Sequence, residues 1–134
     1  IMTSVIYLTV EDILKIYRHS MFKFGGEAGI LDNKLLESAV AMPQSTYDGI
    51  ELHIGISEKA AAYHYHLCSN HPFIDGNKRI ALAAAEVFLL LNGYELDASD
   101  NEVLNLTLGV ANGELSKAQV IAFFKQHVID RNTD

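Results

Sequence analysis

Apolar positions along this chain recur mostly at helical spacing. Val10, Ile13, Leu14, Tyr17, Met21 and Phe24 lie three or four residues apart, with Thr9 placed as an N-cap and Glu11 and Asp12 at the positive end of the dipole. Gly25-Gly26 closes that segment. Leu35, Leu36, Ala39 and Val40 predict a second helix, capped by Asp32 or Asn33 and ended by Pro43. Ser57 opens a third, with Ala60, Ala61, His64, Leu67 and Cys68 on one stripe, and it stops near Asn70 ahead of Pro72. A fourth starts near Asn77, runs to Asn92 and ends at Gly93. Its stretch from Ile80 to Leu91 carries one charge, Glu86, so this helix is predicted to be central and buried. Ser99-Asp100-Asn101-Glu102 and Ser116-Lys117-Ala118-Gln119 match the capping box and announce two more.

Two segments break this period. Val5 to Leu8 reads as a short edge strand. Ile50, Leu52, Ile54 and Ile56 alternate with Glu51, His53 and Gly55, and Asp48-Gly49 before them is a favoured hairpin turn. A short β-flap is therefore expected between the second and third helices, with His53 and Tyr47 in solvent. The pattern as a whole predicts an all-α fold of about six helices with one short β-hairpin, in a single domain spanning residues 1–134.

Composition narrows the function. Seventeen acidic residues against ten basic ones give a formal net charge of -7, which opposes broad binding to nucleic acid or anionic membranes. Nearly half of the residues are hydrophobic, enough for a real core. One cysteine, Cys68, excludes an internal disulfide and fits a reducing compartment. Ile1 to Thr9 lacks the basic residues and the length of a signal peptide, and the Ile80–Leu91 run is too short to span a bilayer. The protein is expected to be cytoplasmic.

Against this acidic background the basic pair Lys78-Arg79 carries information. It stands in His71-Pro72-Phe73-Ile74-Asp75-Gly76-Asn77-Lys78-Arg79, a turn followed at once by the buried helix. The first turn of a helix has unpaired N–H groups and a partial positive charge, so acidic residues are favoured there and basic ones are not. Two cations at that place make sense if a polyanion binds, with Gly76 letting the backbone come close. Asp75 repels phosphate and is best explained as a ligand for a bridging Mg²⁺. His71 is the one group here that titrates near neutral pH and suits a general base. A solvated turn with two outward-pointing cations is the competing reading of the same residues. A P-loop is excluded, because no glycine lies five residues before Gly76 and Arg79 follows the lysine. A zinc site on His64, His66 and His71 is not predicted, since residues two apart on a helix point to nearly opposite sides. His64 and Cys68 are expected in the core.

The same nine residues resemble the signature of the Fic/Doc family, His-x-Phe-x-Asp/Glu-Gly-Asn-x-Arg, at every fixed position. The Gly25-Gly26 segment, the flap, the buried helix and Gly113-Glu114-Leu115-Ser116 extend the likeness over most of the chain. The resemblance implies that His71 is the catalytic base and Phe73 the buried anchor of the loop. It makes Asp75 the Mg²⁺ ligand, Gly76 and Asn77 the phosphate-cradling turn, and Arg79 a phosphate-neutralising cation. Most Fic proteins, which transfer AMP to a hydroxyl, have glycine at the position of Lys78 and a second arginine at that of Leu82. The lysine and the missing arginine are similar to the Doc (death-on-curing) branch, in which ATP is held in the reverse sense and its γ-phosphate is transferred.

What that branch implies is a toxin kinase acting on a Ser/Thr hydroxyl of elongation factor Tu, with ATP and Mg²⁺, so that translation stops. AMP transfer is the alternative within enzymes. A non-catalytic helical module that binds a protein partner is the alternative outside them. Self-inhibitory Fic proteins carry Ser/Thr-x-x-x-Glu, and none of the glutamates here has Ser or Thr four residues earlier. The resemblance therefore implies a separate cognate antitoxin as partner, with neither nucleic acid nor membrane engaged.

Overall fold

A computed structural model describes residues 4–131, among which six α-helices and two small antiparallel strand pairs are found. The start of the N-terminal segment that was read for a signal peptide, residues 1–3, lies outside the described residues. Helix α1, Val10–Phe24, begins in a full capping box: Thr9 Oγ1 accepts from Asp12 N at 3.1 Å, and Asp12 Oδ2 accepts from Thr9 N at 2.9 Å. Ile13, Tyr17 and Met21 are buried as their spacing predicts. Phe24, on the same stripe, is instead 63% exposed at the last position of the helix.

In helix α2, Asn33–Ala41, the cap is Asp32, which accepts from Leu35 N at 3.1 Å. Leu36, Ala39 and Val40 are buried, and Leu35 lies at the surface. A 3₁₀ turn, Met42–Gln44, contains Pro43. The expected hairpin follows as β1, Thr46–Tyr47, and β2, Ile50–Glu51, joined by Asp48 (φ 52°) and Gly49 (φ 78°). Positive φ at both central residues is what a tight two-residue hairpin turn demands.

The alternation beyond Glu51 does not continue as strand: Leu52 to Ile54 are irregular, and helix α3, Gly55–Asn70, takes up Ile56. Ser57 is not its cap. Ile54 holds that position, and the Glu58 carboxylate accepts from Ile54 N at 2.9 Å. His53, expected in solvent, is 3% exposed. The cause is Lys59, which is 2% exposed; its Nζ donates to His53 O at 2.6 Å and pairs with Glu51 at 3.4 Å. A buried ammonium needs those acceptors, and meeting that need draws the end of the flap inward.

Helix α4, Asn77–Leu91, packs on α3 more extensively than any other pair of elements. Ala60, Ala61, Ala81, Ala84 and Ala85 are wholly buried, and their small side chains let the two backbones come close. Phe88 and Tyr63 fill the remaining space, their rings 5.0 Å apart. α4 is buried on most sides, but Glu86, Leu90 and Leu91 face outward. α5, Asp100–Ala111, and α6, Lys117–His127, both start in the capping boxes that the sequence announces.

Two strands were missed, and one that was expected is absent. β3, Tyr94–Leu96, pairs antiparallel with β4, Val128–Asp130, tying the end of α4 to the end of α6. Val5 to Leu8 is not a strand, because side chains satisfy its backbone. The Asn92 carboxamide donates to Ile6 O and accepts from Ile6 N, at 2.9 and 2.8 Å, and Tyr63 OH accepts from Leu8 N at 2.8 Å. No helix among the described residues is long and apolar enough to cross a membrane.

α5 is keyed to α3 through Thr107. Its hydroxyl donates to Val103 O at 2.8 Å, so it receives the proton of His64 Nε2 at 2.9 Å, which fixes the imidazole tautomer. The Cys68 thiol, pushed up to about 11 by burial, points at Thr107 O at 3.7 Å. Burial also takes His64 from its ordinary 6.5 down to about 4. The unfolded chain then takes up a proton first, so the His64 contribution is complete above about pH 6.5 and fades as pH falls toward 4. By linkage, urea unfolding at pH 5 should show roughly 2 kcal/mol less stability from this residue than at pH 7. In His64→Leu that pH interval should lose about this much less; an unchanged pH slope would count against a buried neutral imidazole.

Candidate active site at the α3–α4 junction

α3 ends at Asn70, and His71 takes a left-handed conformation with φ 47° and ψ 55°. That region is unusual for a residue with a side chain, and the proline after it restricts His71 further. The conformation persists because the chain on both sides is pinned. Pro72 O accepts from Leu31 N and Asp32 N at 2.8 and 3.1 Å, Ile74 N donates to Gly29 O at 2.9 Å, and Ile30 bridges Phe73. The Asn70 carboxamide adds a bond to Leu35 O at 3.1 Å. The His71 imidazole is exposed and makes no hydrogen bond among the described residues, which leaves it available to a substrate.

Below the loop, Phe73 is 1% exposed and stacks on Tyr17 with ring centroids 3.8 Å apart. Tyr17 OH donates to Asp75 O at 2.8 Å and accepts from Gly29 N at 3.3 Å. The spacing of α1 marks Tyr17 as a core residue; nothing in the sequence signals that its hydroxyl ties two loops together. The Asn77 carboxamide is also occupied, since it accepts from Phe73 N at 3.0 Å and donates to Phe73 O at 2.9 Å. Asn77 thus locks the turn with its side chain, and what it offers an anion is its backbone N–H in the first turn of α4.

Asp75 and Arg79 meet the Gly25-Gly26 segment. Asp75 Oδ1 accepts from Gly76 N at 2.8 Å and Oδ2 from Glu27 N at 3.4 Å. Arg79 Nη2 donates to Gly25 O at 2.8 Å and lies 3.4 Å from Met21 Sδ. A Cβ on Gly26 would come 2.5 Å from Asp75 Oδ2 and 2.8 Å from Met21 Cε, so no other residue fits there without displacing the carboxylate. The sequence reading treats this glycine as a helix stop and misses that role.

His71, Ile74, Asp75, Gly76, Asn77, Lys78 and Arg79 surround one cleft of about 370 Å³. All six residues proposed from the sequence for catalysis, phosphate and metal thus line a single space. Lys78 is exposed and, with Arg79, also borders an apolar cleft of about 420 Å³ formed with Leu82, Val103, Leu104 and Leu108 between α4 and α5. A larger hollow of about 480 Å³ beside Glu102, Glu114 and Phe123 holds none of these six, and its carboxylates suit no phosphate. The exposed Asp75 carboxylate keeps lone pairs toward the cleft. One carboxylate fits Mg²⁺, which keeps most of its shell as water and phosphate oxygens; among the described residues no three His, Cys, Asp or Glu side chains form a denser cage. Two cations, unpaired helix N–H groups, one carboxylate and one free imidazole can together hold a metal-bound polyphosphate beside a proton acceptor.

Comparison with known proteins agrees with this geometry. The family model described as "Fic/DOC family" matches residues 7–89. The chain is 45% identical over 92 residues to "Toxin Doc" of Mycolicibacterium smegmatis (strain ATCC 700084 / mc(2)155), covering 69% of this chain and 68% of that protein. It is 30% identical over 114 residues to "Protein kinase doc" of Escherichia phage P1, covering 85% and 89%. With the signature loop in place at the head of α4, the chain belongs to the Fic/Doc family, in its Doc branch.

Proposed function

We propose that this protein is the toxin of a toxin–antitoxin pair, and that it moves the γ-phosphate of ATP to a Ser/Thr hydroxyl of a protein target in the cytoplasm. Elongation factor Tu is the target we would test first, with arrest of translation as the result. The observation that carries this reading is the convergence of His71, Asp75, Lys78 and Arg79 on one cleft at the N-terminus of α4. The names of the relatives, a toxin and a protein kinase, point the same way.

In this mechanism the His71 imidazole takes the proton of the target hydroxyl as its oxygen attacks the γ-phosphorus. The bond from that phosphorus to the β–γ bridging oxygen breaks, and ADP leaves. Lys78, Arg79 and the first-turn N–H groups of α4 hold the phosphate oxygens as charge shifts toward the leaving group. Asp75 would hold Mg²⁺, which when bound neutralises phosphate charge. Asn77 keeps the turn in shape through its two bonds to Phe73. The flap, with Tyr47, Ile50 and Leu52 exposed around its strands, offers the target backbone an edge for strand addition. The cognate antitoxin would cover the apolar α4–α5 cleft beside Lys78 and Arg79.

The test is a transfer assay with elongation factor Tu, Mg²⁺ and ATP labelled at the α- or the γ-phosphate. Label on the target from the γ-position is the expected result. Label from the α-position would make the protein an AMP-transferase despite Lys78 and Leu82. No label from either, on elongation factor Tu or in whole lysate, would favour a non-catalytic binding module.

A further inference from the structure

A separate cleft of about 390 Å³ opens on the other side of Arg79, between α1 and α4, and includes Ser20, Phe24, Leu82, Ala83 and Glu86 in its walls. Arg79 borders both this cleft and the one around the phosphate loop, so the two adjoin at its side chain. Phe24 flanks the junction, with the Arg79 guanidinium 5.6 Å and the Lys23 ammonium 5.2 Å from its ring centroid. Phe24 is 63% exposed and lines the cleft, so one face of its ring is open to a ligand there.

The charge along the cleft changes sign. Lys23 and Arg79 stand at the phosphate end, Leu82 and Ala83 make an apolar floor, and Glu86 stands at the far end. Arg79 and Glu86 are seven residues apart on α4, which is two turns or roughly 10 Å. That is the reach of a nucleoside from its first phosphate to the outer edge of its base. Glu86 makes no hydrogen bond or ion pair among the described residues, and burial together with Asp100 pushes its carboxyl up. Its carboxylate is exposed and so open to a donor from a ligand in the cleft.

Resting on the phosphate-loop reading above, we propose that this cleft holds the nucleoside half of the nucleotide. The ribose and base lie along Leu82 and Ala83 against the Phe24 ring, and Glu86 accepts from the exocyclic amine of adenine. The site then discriminates between bases, since inosine carries a carbonyl oxygen where adenosine carries that amine, and two acceptors repel.

Equilibrium binding of inorganic triphosphate, ATP and ITP to the full chain, each with Mg²⁺, tests the assignment. Wild type should bind ATP at least tenfold more tightly than triphosphate, and more tightly than ITP. Phe24→Ala should weaken ATP about tenfold, the scale of one lost base–aromatic contact, and leave triphosphate unchanged. Glu86→Ala should remove the preference for ATP over ITP. Both residues are exposed, and unchanged thermal melting would exclude misfolding as the cause. The assignment is overturned if Phe24→Ala binds ATP like wild type, or if Leu104→Ala loses ATP and Phe24→Ala does not, which would place the base in the α4–α5 cleft. Should wild type bind no triphosphate, or Arg79→Gln bind it equally well, the phosphate-loop reading itself would fall, and this assignment with it.

Discussion

His71→Ala is expected to lower the rate of phosphate transfer by roughly 10² to 10⁴-fold, the usual contribution of a general base, while nucleotide affinity stays near wild type. The imidazole is exposed and has no partner in the fold among the described residues, so removing it breaks no contact. Alanine and histidine also meet the same backbone penalty at φ 47°, which keeps the variant close to wild type in stability. His71→Gly separates the two demands on this position. Glycine adopts the left-handed region freely, so this variant should be more stable by roughly 1 kcal/mol and yet as inactive as the alanine variant. Single-turnover rates and urea unfolding on the three proteins decide the matter. Transfer that survives in both variants would remove His71 from the chemistry.

Gly76→Ala is expected to damage stability and phosphate binding together. Gly76 has φ 83°, where a side chain costs roughly 1–2 kcal/mol. Its Cβ would also come 2.7 Å from Met21 Sδ, 3.3 Å from Tyr17 Cε1 and 3.4 Å from Arg79 Nη2. Overpacking of that kind adds roughly 1–3 kcal/mol unless the neighbours move, and the neighbours here are the residues that seat the loop and its arginine. Gly113 supplies the control. It has φ 73° and nothing within 4 Å of an added Cβ, so Gly113→Ala should show the backbone penalty alone and bind triphosphate normally. Equal losses in the two variants would mean that crowding at Gly76 has no effect.

The helices were legible because their signals are local. Thr9, Asp32, Ser99 and Ser116 each act within three residues of themselves, and all four cap as their types suggest. The nine residues of the signature were legible for the same reason, and they line one cleft. What escaped depends on partners far along the chain. His53 is buried because Lys59 needs an acceptor, Val5 to Leu8 is no strand because Asn92 and Tyr63 satisfy it, and β3 finds β4 more than thirty residues later. The supporting roles of Tyr17, Gly26 and the Asn77 side chain were equally hidden. Helical spacing reports that Tyr17 is buried, but it has no means of reporting where a phenol hydroxyl ends up.

The backbone pairing of residues 29–32 with 72–74 has a consequence for how this motif can be moved between proteins. A nine-residue signature looks like a cassette, yet its shape here is held from outside by a segment more than forty positions earlier. Grafted onto the head of a foreign helix, His71 to Arg79 would keep its side chains and lose its form, since nothing would hold His71 left-handed or Asp75 against Gly26. The unit that can be transplanted is therefore discontinuous: the end of α1 with the glycine-rich stretch after it, and the loop with the start of α4. An insertion at residues 25–32, which resemble an ordinary interhelical connection, would be felt at the reaction centre.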